Sequence, residues 1–151
     1  MDADAGARQP GVTRLWGGRF SSGPADAMSA LSASVHFDWR LAPYDIEQTR
    51  AHARVLARAG LLSDAELLLV ETALADVANG VSSGALVPES QDEDVHTAIE
   101  RHLIARLGDL GGKLRAGRSR NDQVSTDFRM YLRAQVRVIA REVIELEEAF
   151  I

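Results

Sequence analysis

The sequence predicts an all-α protein, a helical domain that leads into one long helix. Three observations carry this. Apolar residues recur at steps of three and four along most of the chain after Pro43, the period of a helix face. Alternation of the strand kind never persists for more than a few residues. Capping residues and glycines fall where those helical patterns begin and stop.

The first element is an arm. Residues 1–13 hold Gly6, Pro10 and Gly11 and no large aliphatic residue except Val12, the composition of a disordered segment. They also lack the apolar core of a secretory signal. Leu15-Trp16-Gly17-Gly18-Arg19-Phe20 follows, two aromatics around a glycine pair, expected to anchor the arm on an apolar surface. A helix is expected from Tyr44 to Ala59, stopped by Gly60. Ser63 and Glu66 have capping-box spacing and open a helix running towards Gly80 or Gly84, with residues 80–84 expected as a loop that residues 88–91 continue.

Asp92, Glu93 and Asp94 stand at the start of the next helix, where acids complement the positive end of its dipole. That helix carries Val95, Ile99, Leu103 and Leu107 and stops at Gly108. Residues 108–117 are expected as a glycine-rich connection. From Asn121 onward Val124, Phe128, Tyr131, Leu132, Gln135, Ile139, Val143, Leu146 and Phe150 trace one uninterrupted stripe. A helix over residues 121–151 would span roughly 46 Å at 1.5 Å per residue. It needs partner helices that this stretch of chain does not supply. The expected organisation is therefore a disordered arm over residues 1–13, an N-terminal helical domain over residues 14–117, and the start of a central helix bundle over residues 118–151.

Composition excludes several functions. Apolar residues make up 46% and charged residues 26%, the balance of a soluble globular protein. The net charge of −5 argues against a general nucleic-acid or membrane-surface binder. No cysteine is present, which removes disulfides, thiolate zinc sites and cysteine nucleophiles and suits a reducing compartment. No apolar run reaches the roughly 18–20 residues that cross a bilayer. A cytoplasmic protein is expected.

The densest chemistry lies in Lys113-Leu114-Arg115-Ala116-Gly117-Arg118-Ser119-Arg120-Asn121-Asp122. Four cations interleaved with small residues directly precede the long helix. A helix start presents unpaired N–H groups and partial positive charge, and arginine forks match carboxylates in two places. Ser119 and Asn121 add neutral hydrogen bonds. The pattern suits a small dianion. Solvated arginines with a serine N-cap are an equally open reading, and a short RNA-binding patch is a third. A P-loop does not fit, because no glycine precedes Gly112-Lys113 at the right spacing and leucine follows the lysine. His96 and Glu100 share a helix face, with His102 on another, so no metal is expected and His96 reads as part of a polar pocket wall. Ser32-Ala33-Ser34-Val35-His36-Phe37-Asp38 reads as a serine-rich loop before a helix.

Together these segments resemble the argininosuccinate lyase family. Leu15-Trp16-Gly17-Gly18-Arg19-Phe20 resembles the family's opening motif. Asp92-Glu93-Asp94-Val95-His96-Thr97 resembles its acidic-histidine motif, and Gly112-Lys113-Leu114 with Gly117-Arg118-Ser119-Arg120-Asn121-Asp122-Gln123 its first active-site signature. Arg115-Ala116 departs from the histidine and threonine usual there. The resemblance implies the fumarase and aspartase superfamily, cytoplasmic homotetramers on a central bundle, with active sites shared between subunits and no cofactor. It implies release of fumarate and arginine from argininosuccinate. By position, Ser119, Arg120 and Asn121 would hold the substrate's carboxylates and Ser34 its amino-acid end. Asp38, Asp94 and His96 would support the pocket, and Arg118 would position the signature loop. The general base and a serine acid belong to later motifs of the family, past Ile151, so residues 1–151 alone are expected to be inactive. Adenylosuccinate lyase, aspartase, fumarase and an inactive crystallin-like homologue stand as alternatives.

Overall fold

Side-chain caps open three of the helices in the computed structural model, which describes Met28 and residues 31–151. The expectations for residues 1–13 and for the motif at residues 15–20 lie outside the described residues. Ala33–Ile151 forms one compact unit, all-α, with no strand among the described residues. Its first helix, α1 (Val35–Asp38), passes through a 3-10 turn (Trp39–Leu41) into α2 (Ala42–Arg58). Pro43 sits in the first turn of α2, where its missing N–H would have had no partner.

α3 (Asp64–Ser83) opens with a capping box in which Ser63 accepts from the Glu66 amide and Glu66 accepts from the Ser63 amide. α4 (Val95–Leu107) is capped by Asp94, whose carboxylate accepts from the Thr97 amide at 2.7 Å. A short helix, α5 (Asp109–Lys113), follows, and α6 (Arg120–Ala149) begins at Ser119 with a second capping box closed by Asp122.

Two expectations are corrected. Residues 80–83 are helical rather than loop, because α3 runs to Ser83 and stops at Gly84 in the left-handed conformation (φ 73°). Gly80 is a place of close approach. A Cβ there would lie 2.5 Å from Leu86 Cδ1, and the Leu86 amide returns to the Gly80 carbonyl at 2.9 Å. The connection at residues 108–117 likewise contains α5, with its Gly111 packed against the α4 backbone at Leu103 and Ile104.

The core is made by α2, α3 and α4. Ile46, Ala53 and Leu56 of α2 meet Val70, Leu74 and Val77 of α3 and Val95, Ile99 and Leu103 of α4, with Leu62 and Leu114 closing the ends. α6 docks on α2 only through its first turns, where Tyr131 meets Tyr44 edge-on at 6.0 Å and Gln123 and Asp127 meet Gln48. Residues 136–151 are all exposed.

Candidate functional site

The N-terminus of α4 gathers three of the sequence-derived candidates. The Ser34 and Val35 amides donate to the Glu93 carbonyl at 2.8 and 3.2 Å, which pins the start of α1 beside α4. Ser34 Oγ donates to Asp38 Oδ2 at 2.6 Å, and Asp38 Oδ1 accepts the Val95 amide at 3.0 Å. Asp38 thus fills an orphan donor of a helix it does not belong to. Burial pushes its carboxyl up, the Ser34 hydrogen bond opposes this, and the nearby Asp94 charge adds to the rise. Asp94 Oδ1 accepts from both the amide and hydroxyl of Thr97 at 2.7 Å.

The start of α6 lies against the same point. Arg120 Nε is 3.6 Å from Asp94 Oδ2, and its Nη2 donates to Thr97 Oγ1 at 3.4 Å. Ser119 Oγ accepts the Asn121 amide at 3.2 Å, and both residues are exposed. The four cations of the basic segment therefore divide. Lys113 pairs with Glu66, and Arg115 pairs with Glu100 at 3.1 Å on the surface; for these two the solvated reading suffices. Arg120 borders the exposed Ser119 and Asn121. Arg118 turns inward, donating to Thr49 Oγ1 at 3.0 and 3.1 Å and lying 3.7 Å from Asp45 Oδ1. Its burial makes the guanidinium easier to deprotonate than usual, though arginine stays charged near neutrality.

Beneath this lies a buried polar cluster centred on His96, which is 3% exposed. His96 Nδ1 is 3.0 Å from Asp45 Oδ1 and 3.6 Å from Asp127 Oδ2. Gln48 Nε2 lies among three acceptors: Asp45 Oδ1 at 3.3 Å, the Gln123 carbonyl at 3.0 Å, and Asp127 Oδ1. Gln123 Nε2 adds a fourth approach, to Asp45 Oδ1 at 3.4 Å. Burial works against the charged form of His96, but the hydrogen bond and charge of Asp45 outweigh it and raise its pKa. Asp127 is pushed up to about 7, by burial first and the Asp45 charge second.

Asp45, His96 and Asp127 offer ligand atoms within 4.8 Å of one another, close enough for a metal ion. The donors nevertheless fit protons better. Arg118 and the amides of Gln48 and Gln123 already approach Asp45 Oδ1, and a cation there would face the guanidinium.

Asp45, Gln48, Thr49 and Asp127 were not singled out by the sequence, and Gln123 entered only as the last residue of the signature. Val124 and Phe128 belong to the apolar stripe on α6, yet they are about half exposed while Asp127 between them is fully buried. The face of α6 that docks on α2 is polar in its first turns. The usable signal was the pair Gln123 and Asp127, one helical turn apart.

This is a helical domain in which the start of the longest helix, bearing arginine and small hydrogen-bonding residues, lies over a buried histidine–carboxylate cluster. Residues 18–151 match the profile described as Lyase, in the superfamily of fumarase and aspartase, and the chain belongs to that family. It is 58% identical over 138 residues to the argininosuccinate lyase of Frankia casuarinae (91% of this chain, 30% of that protein). It is 61% identical over 142 residues to that of Streptomyces avermitilis (93% and 30%) and 61% over 138 residues to that of Nocardia farcinica (91% and 29%). The chain thus spans about 30% of the length of the curated relatives it matches.

Proposed function

We propose that the complete polypeptide is an argininosuccinate lyase, eliminating arginine from argininosuccinate to release fumarate in arginine biosynthesis, as a cytoplasmic homotetramer. The observation that carries the reading is the identity of about 60% to argininosuccinate lyases across nine-tenths of this chain. The exposed apolar face of α6 supports the assembly.

In this reading Ser119, Arg120 and Asn121 bind the substrate's carboxylates and Ser34 its amino-acid end. Removal of the proton next to a carboxylate loads that carboxylate with extra negative charge. Donors fixed at a helix start stabilise such charge without reorganising, and Arg120 is held in place by Asp94 and Thr97. Asp38 and Asp94 keep the α4 terminus and the Ser34 segment in register, and Arg118 ties the loop before α6 to Thr49. His96 is not the base in this scheme, because it is 3% exposed and the family resemblance puts the general base in a later motif.

The test is fumarate release from argininosuccinate by the complete polypeptide, with adenylosuccinate run alongside. Release from argininosuccinate alone, falling by about 100-fold or more in Asn121→Ala, supports the reading. Release from adenylosuccinate only, or from neither by a folded protein, rejects it.

A further inference from the structure

His96 has two carboxylates beside its Nδ1 where one is enough to orient a ring. The two are not equivalent. Asp45 Oδ1 is the shared acceptor of the cluster, approached by His96, Gln48, Gln123 and Arg118. Asp127 is fully buried, and its Oδ2 accepts no hydrogen bond, although it lies 3.6 Å from His96 Nδ1. An anion with one oxygen unpaired and shut away from water is costly, and a second anion within 4.8 Å adds repulsion. Protonating Asp127 removes the buried charge and, with it, the repulsion between the two carboxylates.

We propose that Asp127 is a positioning residue that works in its neutral, protonated form, leaving Asp45 as the single charged partner that fixes Nδ1 as the donor of His96. The groups facing Asp127 are Asp45 with Gln48 from α2, His96 from α4, Arg118 from the segment before α6, and Gln123 on its own helix. Asp94 and Arg120 act on His96 from outside the cluster. When Asp127 ionises, a second negative charge appears beside Nδ1 and strengthens the ring's hold on its proton. Asp127 thereby sets how the charge of His96 follows pH, and the rise of its own pKa to about 7 places that change near neutrality.

The stability sign follows from linkage. The folded chain keeps a proton on Asp127 that the unfolded chain releases near the ordinary carboxylate value of about 4. Stability therefore falls as pH rises from about 4 to about 7 and levels off above. Asparagine is close to isosteric with the neutral acid and cannot titrate. In the complete polypeptide, Asp127→Asn should flatten the thermal midpoint between those pH values relative to the unaltered protein. Parallel curves across that window would overturn the proposal.

The kinetic arm alone rests on the lyase reading. The kcat/KM profile for argininosuccinate should show an inflection near pH 7 that Asp127→Asn removes. An inflection that persists in Asp127→Asn, or one missing from the unaltered protein, sinks the positioning role. A folded protein inactive on argininosuccinate ends the lyase reading and leaves the unfolding curves to judge the inference.

Discussion

Asp92 is 2% exposed, and Arg101 grips both its oxygens, Nε to Oδ1 at 2.9 Å and Nη2 to Oδ2 at 2.8 Å. Burial alone would favour the neutral acid, but the guanidinium and the Glu89 amide outweigh it and hold the carboxyl below its usual value. A depressed carboxylate contributes stability that is present above the unfolded value of about 4 and is lost as pH falls through the lower folded value. Arg101→Met would leave the anion buried with one amide for company. The expected loss is about 3 kcal/mol by urea unfolding near neutral pH. Adding Asp92→Asn should restore part of it, since the double variant buries no orphan charge. Equal losses in the single and double variants would show that packing of the arginine stem, not the charge pair, matters here.

The helices follow from local chemistry, and one close contact between them depends on an absent side chain. A Cβ on Gly111 would sit 3.0 Å from the Ile104 Cα and N and 3.1 Å from the Leu103 carbonyl carbon. These are backbone atoms that no rotamer change can move, so α5 and α4 must separate. Alanine is the better helix former by about 1 kcal/mol, yet Gly111→Ala should destabilise by about 1–3 kcal/mol. Gly112→Ala, its neighbour on open ground, should be neutral or stabilising by up to about 1 kcal/mol. Denaturant midpoints of the pair test this directly, and identical shifts would refute the packing argument.

The same contrast explains what was legible. The capping box at Ser63, the stop at Gly108 and the long helix were readable because they depend on neighbours in sequence. Gly80 and α5 were not, because Leu86 and Ile104 give those glycines their meaning only once the chain has folded. In the candidate site, the convergence of Ser34, Asp38, Asp94 and Arg120 on the start of α4 involves residues the motifs had marked. Their roles toward substrate stay a proposal. Of the Asp45–Gln48–Asp127 cluster only Asp127, one turn from Gln123, left a signal, since polar residues at helix spacing look like a solvated face until a second helix covers them.

At the scale of the molecule, α6 is unbalanced. Its 30 residues extend about 45 Å at 1.5 Å per residue, and its contacts with α2 come from its early turns. Leu132, Val136, Ile139, Val143, Leu146 and Phe150 step by four, three, four, three and four along one face and are 43–84% exposed. That is the seam of helices packed with a left-handed supercoil. Most helical stability in proteins comes from packing an amphipathic face rather than from propensity. Covering the exposed half of each side chain would contribute roughly 1 kcal/mol apiece. The face is therefore expected to find other copies of itself. Residues 1–151 produced alone should sediment as self-associated species at micromolar concentration, and Ile139→Glu with Val143→Glu should return them to monomer. In the complete polypeptide the same pair should break the proposed tetramer, because like charges would meet across the seam. A monomer before the substitution, or a tetramer that survives it, would mean that this seam does not hold the assembly together.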